Sequence, residues 1–167
     1  MHALFWHETD SPVGRLLLAG DAQALTRVHF QAGPHPRTPP PEWRHEAAPF
    51  TEAIRQLAEY FAGARRAFSV PLTIAGSEFQ RSVWQALRAI PYGETISYGE
   101  LARRVGSVPR AVGLANGANP LPIIIPCHRV IGADGSLTGF GGGLAVKRAL
   151  LELEDAGCVS DLFSRAS

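Results

Sequence analysis

The 167-residue chain has two cysteines, Cys127 and Cys158, and neither belongs to a pair at zinc-finger spacing. Two thiols cannot build a disulfide framework, so the fold must rest on its core. Histidines at 2, 7, 29, 35 and 45 have no thiol near them in sequence, and the expectation is that no metal is bound. No apolar run approaches the ~20 residues of a membrane span. The N-terminus "MHALFWHETD" lacks a basic stretch followed by an apolar one, so a soluble, cytoplasmic protein with no membrane partner is expected. Internal repeats are absent, and the one biased segment is proline-rich "AGPHPRTPPPEWRHEAAP" (32–49), read as a loop or extended linker.

A hydrophobic content of 46% describes an ordinary globular chain that can fill one core or two small ones. The net charge of +1 is unevenly spread. Residues 79–129 carry six arginines against Glu94 and Glu100, whereas the segments on either side are net negative. A basic segment whose cations are all arginine suits phosphate and stacking contacts, or forms a plain solvated face.

"LFWHET" (4–9), "GRLLLAG" (14–20) and "LTRVHFQ" (25–31), separated by turn-rich links, predict an antiparallel meander. Phe50, Ile54, Leu57, Ala58 and Phe61 mark one face of a helix ending at Gly63. "AFSVPLTI" (67–74) reads as an edge strand or linker because of its interior proline. A boundary near residue 75 separates domains 1–75 and 76–167. Beyond it, Ser77 caps a helix with the face Phe79, Val83, Trp84, Leu87 and Ile90. Ser97 and Glu100 have capping-box spacing ahead of a helix that stops at Gly106, and Pro109 opens the next. Two short helices around a glycine turn predict a helix-turn-helix. A last helix spans roughly 143–155, with Leu144, Leu150, Leu151 and Leu153 as its apolar members.

Chemistry concentrates in "NPLPIIIPCHRVIG" (119–132), where a triple isoleucine runs into Cys127, His128 and Arg129. A lone cysteine is often a small buried hydrophobe, but a thiol beside a base and a cation has what a reactive thiolate needs. On an extended segment neighbouring side chains point apart, so His128 would reach Cys127 through a water or a bend. A cysteine hydrolase is one reading of this pair.

"IPCHRV" (125–130), preceded by "RAVGLANGANP" (110–120) and followed by "GFGGGLAVKRALLELE" (139–154), closely resembles the O6-alkylguanine-DNA alkyltransferases. The resemblance covers about residues 77–154, and the first half resembles the family's ribonuclease-H-like α/β domain. It implies an α/β N-terminal domain and a mainly helical C-terminal one. It further implies repair of O6-alkylguanine, with O4-alkylthymine as a second substrate, in double-stranded DNA by irreversible transfer of the alkyl group to Cys127. The protein would turn over once, need no cofactor and act as a monomer. In that frame His128 deprotonates the thiol, Glu154 orients the imidazole, and Tyr98 protonates the leaving guanine. Arg110 fills the gap left by the extruded base, with Ala111, Tyr98 and Arg129 also on the DNA side. Asn119 ties the helix-turn-helix to the active-site strand. Pro126, Val130, Lys147 and the Gly139–Gly143 loop, with Phe140, Gly141 and Gly142, line the pocket. Phe140 stands where many members have tyrosine, so a hydroxyl contact to the base is lost. Other readings stay open: a solvated helix-end carboxylate for Glu154, a core aromatic for Tyr98, internal contacts for Arg129. For the whole chain the alternatives are a lesion sensor that transfers nothing and a regulator with a redox-sensitive thiol.

Overall fold

The computed structural model describes residues 4–137, 140 and 142–166, with side chains up to residue 158. Contacts divide the chain into two units, Met1–Ala75 with Pro120–Ile124, and Gly76–Asn119 with Ile125–Ser167.

In the first unit β1 (Phe5–Thr9), β2 (Leu16–Gly20) and β3 (Leu25–Phe30) form the antiparallel meander. β2 is buried on both faces, which is why it reads as unbroken "LLLAG" and not as an alternating pattern. The turn that follows is held by Asp21, whose Oδ1 accepts from the backbone N–H groups of Gln23 and Ala24, both at 2.8 Å. A fourth strand, β4 (Arg44–His45), pairs in parallel with β1 inside the segment expected to be a loop or an extended stretch, giving the order β3-β2-β1-β4. Its pairing is non-local, through Arg44 N–H to Leu4 O and Glu46 N–H to Trp6 O, and no local pattern announces it.

Helix α1 (Thr51–Phe61) buries Ala53, Gln56, Leu57 and Tyr60, so the expected Ile54–Ala58–Phe61 stripe is rotated outward. Phe50 belongs to a preceding 3-10 turn instead. Gln56 tolerates burial because its amide is satisfied. Nε2 donates to Glu52 and to Ser69 Oγ, and Oε1 accepts from the Ser69 N–H. In 67–74 only Leu72 makes a bridge, to Leu25. Pro71 has no N–H but its carbonyl accepts from Leu25, as an edge position permits. From the distant 120–124 segment, Pro120 O accepts from Val28 N–H. Ile123 there takes a φ of 74°, rare for a β-branched residue, and the burial of Leu121 and Ile123 offsets that strain.

The second unit opens with α2 (Glu78–Arg88), whose capping box pairs Ser77 with Gln80 in both directions. Val83, Trp84 and Leu87 face the core as expected, whereas Phe79 lies 38% exposed. α3 (Tyr98–Val105) starts from Ser97, which accepts from the Glu100 N–H. The Glu100 carboxylate turns to Arg103 and Arg104 instead of returning to the cap. Gly106 closes α3 at φ 69°, and α4 (Pro109–Gly117) follows with Pro109 in its first turn, completing the helix-turn-helix. Trp84 Nε1 donates to Ala115 O at 2.8 Å and fixes α4 against α2. Strands β5 (Ile96–Ser97) and β6 (Val130–Ile131) pair in parallel. The last helix, α5, runs Leu144–Ala166, well beyond the expected end near 155. Among the described residues no helix is long and apolar enough to cross a membrane.

Candidate active site

Cys127 is delivered by two successive tight turns. Pro126 sits at φ −79°, ψ 66°, the centre of an inverse γ-turn in which Cys127 N–H donates to Ile125 O at 2.8 Å. Cys127–Arg129 then forms a 3-10 turn, not the extended segment anticipated. With about three residues per turn, the three side chains leave in different directions, and all three are buried: Cys127 4%, His128 0% and Arg129 6% exposed.

Two asparagines of the α4 end anchor these turns. Asn119 Nδ2 donates to Ile125 O at 2.8 Å, and Asn116 Nδ2 reaches Cys127 O at 3.4 Å. The sequence reading passed over Asn116, although Val112, Ala115, Asn116 and Asn119 fall at helical spacing on one side and the first three are buried. That stripe was the available signal.

The opposite wall comes from α5. Lys147, Leu150 and Glu154, spaced i, i+3, i+7, are fully buried on one face. Glu154 is therefore no helix-end carboxylate, because α5 continues for three more turns. Its Oε2 accepts from His128 Nε2 at 2.7 Å, and Arg129 grips both carboxylate oxygens, through Nε at 2.8 Å and a terminal nitrogen at 3.0 Å. A second terminal nitrogen of Arg129 donates to Ile90 O at 2.7 Å. The expectation that Arg129 contacts DNA is thus corrected: its guanidinium is spent on a buried carboxylate and a carbonyl, out of reach of a phosphate.

A carboxylate only accepts, so the proton on His128 belongs on Nε2. Nδ1 is left buried without a hydrogen-bond partner among the described atoms, in the acceptor tautomer. Burial lowers the His128 pKa, against the pull of Glu154, and keeps the ring neutral. Burial alone would raise the Glu154 carboxyl, but hydrogen bonds from His128 and Arg129 hold it well below the usual carboxylate range. Burial pushes the Cys127 thiol up to about 11, opposed by a hydrogen bond from Asn119 and by the charge of Lys147. The resting pair is neutral thiol and neutral imidazole. The Cβ chemical shift of isotopically labelled Cys127 should accordingly titrate with a midpoint near 11. A midpoint at or below the ordinary thiol value of about 8.5 would mean a preformed thiolate.

Lys147 Nζ donates to Val130 O at 2.7 Å and lies 5.8 Å from the centre of the Tyr98 ring. Tyr98, the first residue of α3, is half-buried and borders α4: a Cβ on Gly113 would stand 3.9 Å from its ring. Val130 and Pro126 are buried, Phe140 is half-buried and Gly142 is buried. Gly139 and Gly141 lie outside the described residues. Arg110 is exposed on α4 and Ala111 half-buried beside it. Among the described residues no three His, Cys, Asp or Glu side chains gather as a metal site requires.

Residues 78–156 match the family model of the 6-O-methylguanine DNA methyltransferase DNA binding domain, and residues 4–74 that of its ribonuclease-like domain. A methylated-DNA–protein-cysteine methyltransferase of Methanosarcina acetivorans is 52% identical, over 87% of this chain and 94% of its own. The crystal structure of the Mycobacterium tuberculosis O6-methylguanine methyltransferase superposes with a TM-score of 0.83 at 49% identity, covering 92% of this chain and 93% of that one. Mycobacterium tuberculosis OGT in complex with DNA gives 0.85 at 50% identity, with 92% and 94% coverage.

Proposed function

Because the chain belongs to the O6-methylguanine DNA methyltransferase family, we infer that its acceptor is Cys127 and its principal lesion O6-alkylguanine, with O4-alkylthymine as a second substrate. The activity is DNA repair by transfer of an alkyl group to a cysteine of the protein itself. The observation that carries the assignment is the buried Cys127–His128–Glu154 array, with His128 Nδ1 in the acceptor tautomer and unpartnered among the described residues.

The Cys127 proton passes through a water to His128 Nδ1, and sulfur attacks the alkyl carbon in line with the C–O6 bond. A carbon–sulfur bond forms, the carbon–oxygen bond breaks, and its electron pair leaves with guanine. Tyr98 gives its phenolic proton to that anion and is restored by the proton held on His128. Glu154 stabilises the transient imidazolium. Lys147, beside both Tyr98 and Cys127, favours the anionic form of each as charge passes between them. The helix-turn-helix supplies the DNA contact, and exposed Arg110 fills the space of the extruded base. Asn119, Pro126 and Val130 hold the nucleophile's turn. Phe140 and Gly142 form the pocket wall, which stacks on the base but offers no hydroxyl. On this reading the protein works in the cytoplasm as a monomer.

A duplex carrying a single O6-methylguanine should leave one methyl group per protein molecule, on the peptide containing Cys127. Modification of Cys158 instead, or release of many repaired guanines per protein, overturns the assignment. A thioether has no easy leaving group, and among the described residues of the site nothing is placed to remove it.

A further inference from the structure

The Arg129–Glu154 pair behind His128 is gripped by one short link that the transfer chemistry does not itself use. In this link, which follows α2, Glu94 N–H closes a turn on Pro91 O at 3.1 Å and Gly93 takes a φ of 81°. Three of its residues meet different parts of the pair. Ile90 O accepts from Arg129 at 2.7 Å, the Tyr92 ring covers the guanidinium at 5.7 Å, and Gly93 N–H reaches Glu154 Oε1 at 3.4 Å. With His128 and two nitrogens of Arg129 also donating, each oxygen of the carboxylate accepts at least twice. The link and α5 approach through reciprocal glycines. A Cβ on Gly93 would stand 2.2 Å from Cys158 Sγ, and a Cβ on Gly157 would stand 2.7 Å from the Tyr92 hydroxyl. Both contacts fall one turn of α5 beyond Glu154, so this crossing sets how deep the carboxylate sits. Tyr92 is only half-buried, whereas the aromatics that fill the cores, Trp84 and Tyr60, are enclosed.

We propose that Tyr92 is a positioning residue of the transfer reaction, whose ring and turn hold Arg129 and Glu154 where His128 Nε2 finds its acceptor. The inference rests on the reading of Glu154 as the orienter of His128. A desolvated guanidinium under an aromatic face is attracted by the ring's quadrupole, which an aliphatic side chain lacks. Without the ring Arg129 is free to move, and the carboxylate it grips moves with it.

The experiment compares wild type, Tyr92→Phe, Tyr92→Leu, Tyr92→Met and Glu154→Gln. It follows single-turnover transfer from an O6-methylguanine duplex, reaction with free O6-benzylguanine, and the proton resonance of His128 Nε2–H. The leucine and methionine variants, two aliphatic replacements of different shape, should slow both reactions about tenfold. Tyr92→Phe keeps the ring and should stay within about twofold of wild type. The 2.7 Å bond to Glu154 should place the His128 Nε2 proton far downfield. That resonance should move upfield in the aliphatic variants and stay in Tyr92→Phe. Wild-type rates in the aliphatic variants, with Glu154→Gln slow, would overturn the role of Tyr92 and leave Glu154 as the orienter. If Glu154→Gln also transfers at the wild-type rate, the orienter role falls and the proposal with it. Slower transfer with an unmoved resonance would make Tyr92 a space-filling residue and sink the proposal. Equal losses in Tyr92→Phe and the aliphatic variants would assign the effect to the phenol hydroxyl and also overturn it.

Discussion

Replacing Cys127 by serine should abolish alkyl transfer, lowering the single-turnover rate by roughly 10⁴-fold or more while leaving affinity for duplex DNA within about twofold. The oxygen nucleophile loses on two counts. A hydroxyl is far less acidic than a thiol, and the burial that already pushes the Cys127 thiol up to about 11 penalises an alkoxide more. Oxygen is also the poorer nucleophile toward saturated carbon. DNA affinity should survive because Cys127 is buried, only 4% exposed, and offers almost no surface to a duplex. The serine hydroxyl can take over the hydrogen bond from Asn119, so the turn around Pro126 should persist. The measurement pairs quenched-flow transfer from an O6-methylguanine duplex with equilibrium binding to the same duplex. Near wild-type transfer by the serine variant would move the acceptor to another residue. Equal collapse of transfer and binding would mean that Cys127 holds the fold together and says little of chemistry.

The parts of this structure that were legible in the sequence are the local ones. Ser77 with Gln80, Ser97 with the Glu100 N–H, Pro109 and Gly106 each act within one helical turn, so type and spacing suffice to place helix ends. The parallel pairing of Arg44–His45 with β1 depends on a strand some forty residues away, and a proline-rich preface hides it. The inward face of α1 was misjudged because hydrophobicity ranks Ile54 and Phe61 above Gln56, while burial follows a hydrogen-bonding partner, Ser69, that periodicity does not see. At the site, family resemblance named Cys127, His128 and Glu154, and geometry then changed the meaning of their neighbours. Arg129 moved from the DNA face to the Glu154 carboxylate, and Asn116 emerged as a tether of the nucleophile's turn. Internal contacts were one open reading of Arg129 and the α4 stripe hinted at Asn116, but the partner of each depends on what α5 or α4 presents to the Cys127 turn once the unit has closed.

The Glu154 carboxylate serves two buried partners at once, and that makes Glu154→Gln the second large effect expected. Transfer should slow by roughly 10³- to 10⁴-fold, because a glutamine amide can donate to His128 Nε2 and so favour the tautomer with its proton on Nδ1, where it cannot accept from Cys127. Folding stability should fall by about 3 kcal/mol, because Arg129 keeps its charge in a buried site without a counter-ion. Acid should narrow the stability gap. Glu154 has a depressed pKa in the fold, so its contribution is complete above the unfolded carboxyl value of about 4.3 and fades as pH falls toward the folded one. The difference between wild type and variant should therefore be level above about pH 5 and shrink below 4.3. Both proteins should also lose stability below about 6.5, where the unfolded histidine takes a proton that buried His128 refuses. The two roles of Glu154 separate in a double variant. Adding Arg129→Met to Glu154→Gln removes the uncompensated charge and should recover most of the lost stability, while transfer stays slow because the imidazole is still in the wrong tautomer. Denaturant unfolding and single-turnover kinetics on the same three proteins give the result. If rate and stability recover together, Glu154 acts on the chemistry only by holding Arg129 in place, and its role as the orienter of His128 would have to be given up.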